Sequence, residues 1–131
     1  MTAMALAHDW TQLGLTNDLL KGAVATSGVY DLNMVMRISV QEQVRMTPEI
    51  ARLESPLRDP PVVRCPLIVA VGGDEPQGWQ SMSADYFHYC KRHGVDAEYL
   101  LEPGANHYTM SEHLLDESRP LTKAMLRLMR I

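Results

Sequence analysis

The stretch Cys65–Pro76, with the sequence CPLIVAVGGDEP, decides the fold. Within it, Leu67–Val71 is an unbroken apolar run rich in β-branched residues. A run of this kind, without polar alternation, is typical of a parallel strand that helices cover on both faces. Two glycines end the run and allow a sharp turn, and Asp74 follows them. We therefore predict a buried strand with an acidic residue at its C-terminal end, where α/β sheets bind ligands.

Two further segments predict parallel strands beside this one. Ala23–Ser27 (AVATS) is short, small and mostly apolar, and it follows a glycine. Ala97–Glu102 (AEYLLE) mixes aliphatic and aromatic residues and stops at a Pro-Gly pair. Both segments have the length and the flanking turn residues that strands require.

Helical patterns alternate with these strands. Between Trp79 and Cys90 the larger residues recur at spacings of three and four, and basic residues and Gly94 close the pattern. A second amphipathic segment begins at Pro120, and the opening residues Met1–Trp10 also resemble a helix. This order predicts an α/β fold with parallel strands flanked by helices, in a single domain over residues 1–131.

The segment 32–61 fits neither strand nor long helix. We predict short helices around Met34–Met46 and Pro48–Leu53, followed by the proline-rich run Ser55–Pro61. An excursion of this length between two strands commonly covers or borders a site. We therefore expect a cap-like insertion in this part of the domain.

Three parallel strands leave both sheet edges with unpaired backbone groups. Natural α/β domains usually contain more strands. We therefore expect an incomplete sheet that another segment, a complementing N-terminal half or a second copy would extend.

The composition restricts the classes of partner. The chain has 131 residues, of which 46% are hydrophobic and 21% charged, and its formal net charge is −4. An acidic balance argues against nucleic acid or an anionic membrane as the partner, and no apolar run has the length of a membrane span. Cys65 and Cys90 match no metal or redox motif, so we expect buried free thiols in a cytoplasmic protein.

The strongest chemical signal is an acid and a base that follow different strands. Asp74 follows the second predicted strand, and His107 lies in the loop Glu102–Thr109 (EPGANHYT) after the third. Parallel strands bring both loops to one edge of the sheet, where a carboxylate could orient the imidazole as a general base. Taken separately, Asp74 could cap a helix or close a turn, and His107 could be a surface loop residue.

Other candidates are weaker. No G-x-S-x-G motif supplies a nucleophile, and we assign structural roles to Ser27, Ser81 and Ser83. His88 and His93 are five positions apart on a predicted helix and do not share a face, so a metal site is not expected. The nucleotide-binding glycine motifs are also missing, which disfavours a flavodoxin-like or nucleotide-binding domain.

Four stretches together resemble the C-terminal half of the α/β-hydrolase superfamily, closest to its kynurenine formamidase (arylformamidase) and carboxylesterase branch. They are Gly22–Leu32 (GAVATSGVYDL), Ser55–Leu57 (SPL), Cys65–Pro76 and Pro103–Thr109 (PGANHYT). The resemblance implies that Asp74 is the acid and His107 the base of a Ser-His-Asp triad. It also makes Tyr30 and Asn106 candidate substrate-binding residues.

The resemblance implies a serine-type hydrolase of carboxylic esters or aryl formamides, without cofactor or metal. The segment Thr2–Trp10 (TAMALAHDW) is similar to the helix that begins at the nucleophile in this family. We therefore expect the serine and the oxyanion loop to lie outside this chain, which would be inactive alone. The alternative is a catalytically inactive binding or assembly module derived from the same fold, pairing its open strand edge with another copy.

Overall fold

The computed structural model describes residues 1–130 and contains one sheet of three parallel strands in the order β1-β2-β3. The strands are β1 (Ala23–Thr26), β2 (Leu67–Gly72) and β3 (Ala97–Glu102). Leu67 of β2 is level with Ala23 on one side and with Ala97 on the other. The α/β class and all three strands are confirmed, with a difference of one residue at the end of β1 and of β2.

Helices cover both faces of this sheet: α1 (Thr2–Ala7) and α4 (Gln77–Arg92) pack on one face, and α6 (Pro120–Met129) packs on the other. The remaining α-helices are α2 (Gln41–Val44), α3 (Pro48–Glu54) and α5 (Met110–His113). The described residues also form two 3₁₀ helices, at Trp10–Leu13 and Leu32–Arg37.

Strand β2 is buried along its whole length because it contributes to two cores. Leu67 and Val69 belong to the core that includes α1 and α4, whereas Ile68 and Ala70 belong to the core that includes α6. Successive side chains of a strand point to opposite faces, so a strand covered on both sides must be apolar at every position. This is the physical reason for the unbroken run Leu67–Val71.

The first core also settles the state of the two cysteines. Cys65 and Cys90 are both buried free thiols, as expected. Burial raises the pKa of each thiol, which keeps the protonated form and makes the sulfur a poor nucleophile.

The short helices predicted in the insertion are present, but the region around Met34–Met46 is interrupted. A 3₁₀ helix ends at Arg37, Ile38 is extended, and α2 begins only at Gln41. Ile38 and Val40 are β-branched and fit a helix poorly, which favours the break. The helix around Pro48–Leu53 is confirmed as α3, with the Thr47 side chain accepting a hydrogen bond from the Ile50 N–H.

Across residues 1–130, no helix is both long and apolar enough to cross a bilayer.

Gly72, the last residue of β2, has no room for a side chain. A Cβ atom there would lie 2.2 Å from the backbone oxygen of Ala105, in the loop after β3. We expect Gly72→Ala to lower the free energy of unfolding by about 1–3 kcal/mol, because backbone atoms cannot move aside cheaply. Urea titration of the purified variant measures this change.

Gly78 in α4 provides the matched control. A Cβ atom there meets only the Met34 side chain, at the ordinary distance of 3.6 Å. Gly78→Ala should leave the stability unchanged or raise it by up to about 1 kcal/mol, because alanine favours helix. Equal destabilisation by both substitutions would show that the close approach at Gly72 does not exist.

Candidate active site

The turn after β2 and the loop after β3 are joined by backbone hydrogen bonds. The Gly73 N–H donates to the backbone oxygen of Glu102 at a distance of 2.8 Å, and the Asp74 N–H donates to the backbone oxygen of Ala105 at 2.9 Å. We call these two connections the acid turn (residues 73–76) and the base loop (residues 103–109). Because they are bonded to each other, their side chains have a fixed relative position.

An acid and a base meet at this edge, and the acid is Glu75. The Nδ1 atom of His107 lies 3.2 Å from Oε2 of Glu75. The Glu75 side chain is 0% exposed and the His107 side chain is 51% exposed. The pair thus presents a half-exposed imidazole to solvent and hides the carboxylate behind it.

The expectation that Asp74 pairs with His107 is corrected by this geometry. Asp74 is exposed, whereas the next residue, Glu75, is buried. A Cβ atom on Gly72 would lie 3.2 Å from Cγ of Glu75, which shows that the Glu75 side chain folds back over the end of β2. The turn therefore directs residue 75, not residue 74, towards the base loop.

Three further donors fix the Glu75 residue. Its Oε1 atom accepts the Gly72 N–H over 3.0 Å and also the Ser27 hydroxyl, which arrives from the end of β1. The side-chain amide of Gln80 donates to the backbone oxygens of Glu75, over 2.8 Å, and of Gly73, over 3.1 Å. A buried carboxylate needs such partners, because an unsatisfied charge in the interior is costly.

The hydrogen bonds define the tautomer of His107. A carboxylate only accepts hydrogen bonds, so the Nδ1 atom that faces Glu75 carries a proton. In the neutral ring, Nε2 is then left with a free lone pair. An imidazole oriented in this way by a buried carboxylate is suited to general-base catalysis.

Aromatic rings and a small cavity surround the imidazole. The rings of Trp79 and Tyr108 approach it edge-on, with centroid distances of 5.8 and 6.0 Å. A cavity of about 200 Å³ adjoins His107 and is lined by Thr26, Ser27, Met110, Ser111 and Leu114. A larger cavity of about 570 Å³ lies at the other end of the strands, beside Lys21 and Pro66, and is remote from the pair.

The structure places the two candidate substrate-binding residues differently. Tyr30 is 2% exposed and stacks on Tyr86 with a centroid distance of 3.9 Å. Burial raises the pKa of the Tyr30 hydroxyl well above its usual value. The Tyr30 ring is part of the core beneath the first strand, which argues against a substrate contact, and that contact stays a prediction.

Asn106 holds the shape of the base loop. Its Oδ1 atom accepts the backbone N–H groups of Tyr108, over 2.9 Å, and Thr109, over 3.0 Å. These bonds fix the backbone on both sides of His107. Whether Asn106 also contacts a substrate stays a prediction.

A second carboxylate–histidine pair, formed by Glu102 and His113, was not predicted from the sequence. The Nδ1 atom of His113 lies 3.1 Å from Oε1 of Glu102, and the other Glu102 oxygen accepts the Leu121 N–H over 2.8 Å. Glu102 is 0% exposed and His113 only 11%. This buried pair joins α5 and the start of α6 to the end of β3, and its position favours a structural role.

Among residues 1–130, no three His, Cys, Asp or Glu side chains are grouped closely enough to hold a metal ion.

The distinction between Glu75 and Asp74 can be tested with amide variants. In Glu75→Gln, the amide oxygen should keep the Oε1 position, because the Gly72 N–H and Ser27 hydroxyl both need an acceptor there. The amide NH₂ then faces His107 and forces Nδ1 to become an acceptor. We expect the neutral ring to switch to the Nε2–H tautomer, as measured by proton–nitrogen correlation NMR.

Asp74→Asn is the matched control. Asp74 is exposed and is not bonded to the imidazole, so His107 should keep its Nδ1–H tautomer in this variant. A switch in Asp74→Asn together with no switch in Glu75→Gln would reverse the assignment of the acid.

Comparison with known proteins relates the chain to named hydrolases. No protein-family model matches it. It is 30% identical over 133 residues to a kynurenine formamidase of Danio rerio, and 30% identical over 135 residues to a kynurenine formamidase of Salmo salar. These alignments include 98% of the chain and 45% and 46% of the two relatives. The chain thus spans about half the length of the curated relatives it matches.

A solved structure supports the fold. A crystal structure of a candidate thioesterase from Silicibacter sp. TM1040 superimposes with a TM-score of 0.65 and 23% sequence identity. The match covers 81% of this chain and 38% of that one. At this identity the likeness concerns the fold alone, and it supports an α/β fold with an open sheet of parallel strands. Sequence similarity thus connects the chain to formamidases.

Proposed function

We propose that this chain supplies the acid and the base of a serine-type hydrolase of the α/β-hydrolase superfamily, acting on carboxylic esters or aryl formamides. The observation that carries the proposal is the bond between buried Glu75 and half-exposed His107 at the C-terminal ends of neighbouring parallel strands. Similarity to two kynurenine formamidases supports the formamide part of the substrate class.

In this proposal Glu75 replaces Asp74 as the acid of the triad. Aspartate and glutamate both serve as triad acids in α/β-hydrolases, and the acid precedes the histidine along the chain. Glu75 and His107 follow this order. The longer glutamate side chain reaches back over the end of β2, which the shorter and exposed Asp74 does not do.

The chemistry then follows from the free lone pair on Nε2 of His107. A serine hydroxyl gives its proton to Nε2 while its oxygen bonds to the acyl carbon, and the tetrahedral intermediate carries the negative charge on the former carbonyl oxygen. The imidazolium, stabilised by Glu75, next gives the proton to the departing alcohol or arylamine. Water repeats the sequence on the acyl-enzyme, which releases the acid and the free serine. The scheme uses no metal or cofactor.

We propose that the nucleophile and the oxyanion donors come from a segment not included among these residues. Ser27 lies beside the pair, but its hydroxyl is bonded to Glu75 and not to His107. Ser81 is exposed on α4, and Ser83 is buried within the same helix. Ser111 lines the cavity beside His107, but its hydroxyl donates to the backbone oxygen of Tyr108. None of these four serines is hydrogen-bonded to Nε2 of His107, so none is a good nucleophile for this base.

The isolated chain should therefore show negligible turnover. Loss of a triad nucleophile lowers turnover by a factor on the order of 10⁶ in serine hydrolases. In the presence of the chain, p-nitrophenyl acetate and formanilide should hydrolyse no faster than they do in buffer alone. A fluorophosphonate probe should label no serine. Mass-spectrometric detection of the probe on any serine of the chain, Ser111 beside His107 included, would show that the nucleophile is already present.

Complementation tests the function itself. The chain would be co-expressed with the part of the Danio rerio relative that lies outside the matched region, and the complex would be purified through a tag on that part. We expect turnover of formanilide or p-nitrophenyl acetate in the complex. Glu75→Gln should reduce kcat by a factor on the order of 10⁴, because the wrong tautomer faces the serine, whereas Asp74→Asn should change it little.

The same experiment separates the two candidate functions. A purified complex that binds a fluorophosphonate probe at no serine and turns over neither substrate would contradict the hydrolase proposal. That outcome would support the binding or assembly module instead.

A further inference from the structure

Ser27 occupies a backbone conformation that serine does not favour. It follows β1 with φ at 47°, in the left-handed region where residues with a Cβ are uncommon. Its N–H donates to the Ala70 oxygen over 2.8 Å, so its place beside β2 is fixed by the sheet. A glycine would adopt this conformation more easily. A serine at this position is therefore best explained by a contact of its side chain.

The side chain adds a donor to the buried acid. Ser27 is 8% exposed, and its hydroxyl donates to Oε1 of Glu75. The same oxygen accepts the Gly72 N–H, while Oε2 faces Nδ1 of His107. The Gly72 donor is the last residue of β2, which leads directly into the acid turn. Ser27 is the donor that comes from a different strand, and it links the carboxylate to β1.

We infer that Ser27 is a positioning residue for the reaction proposed above: its hydroxyl fixes the rotation of the Glu75 carboxylate so that Oε2 is held against His107. Rotation of the carboxylate away from this position would leave a buried hydroxyl without its acceptor, which is costly. The hydroxyl thus acts on the imidazole through Glu75. The inference rests on the proposed function, but its test does not require turnover.

The test compares Ser27→Ala and Ser27→Gly in the isolated chain. Both remove the hydroxyl, but glycine also relieves the backbone strain, so at least one variant should fold well enough for measurement. The readout is the tautomer of the neutral His107 ring by proton–nitrogen correlation NMR, assigned by comparison with His107→Ala. We expect both variants to lose the dominance of the Nδ1–H tautomer, with ring nitrogen shifts that move towards the average of the two tautomers.

Two further variants act as controls. Ser81→Ala, at an exposed position on α4, should leave the His107 spectrum unchanged. Ser27→Cys keeps a weaker donor and should give shifts between those of the wild type and Ser27→Ala. If Ser27→Ala and Ser27→Gly change the unfolding midpoint while the His107 tautomer stays as in the wild type, Ser27 has only a structural role and the inference is wrong.

The two proposals can fail independently. In the complemented complex, Ser27→Ala should lower kcat and leave KM nearly unchanged, because the hydroxyl does not contact substrate. Absence of turnover in the wild-type complex, with the NMR result as expected, would overturn the hydrolase proposal and leave the link from Ser27 through Glu75 to His107 intact. Normal turnover in the wild-type complex, together with an unchanged His107 tautomer in the Ser27 variants, would overturn the positioning role of Ser27 and leave the hydrolase proposal intact.

Discussion

The buried carboxylate of Glu75 is the interaction on which the rest of the site depends. It joins the ends of three strands: Ser27 follows β1, Gly72 ends β2, and His107 lies in the loop after β3. A carboxylate in the interior is stable only when its oxygens have partners, and each of these groups supplies one. The same bonds that satisfy Glu75 therefore orient the imidazole, so stability and chemistry share one set of contacts.

A comparison of the two carboxylate–histidine pairs shows how burial separates their roles. In both, a glutamate with a 0% exposed side chain lies near Nδ1 of a histidine. His107 is 51% exposed and adjoins a cavity, whereas His113 is 11% exposed and its carboxylate partner also binds the start of α6. Of the two imidazoles, that of His107 is therefore the one that is open to solvent. The chemistry is the same in each, and access decides which pair is a candidate for catalysis.

The sequence predicted the fold well where one physical requirement dominated. Leu67–Val71 had to be apolar at every position to fill two cores, and that pattern identified the central strand and hence the edge where His107 lies. The choice between Asp74 and Glu75 could not be made in this way. It depends on how the turn after Gly72 directs two adjacent side chains, and on the contact of Gly72 with Ala105, which is distant in sequence. The burial of Tyr30 against Tyr86 and the Glu102–His113 pair are also long-range contacts that no local pattern records.

The central claim is that Glu75, and not Asp74, holds His107. A double-mutant cycle on the isolated chain tests it most directly, with the free energy of unfolding measured for Glu75→Gln, Asp74→Asn, His107→Ala and the two double variants. We predict a coupling of at least about 0.5 kcal/mol between Glu75 and His107, and a coupling within about 0.3 kcal/mol of zero between Asp74 and His107. Coupling of His107 to Asp74 alone would contradict it.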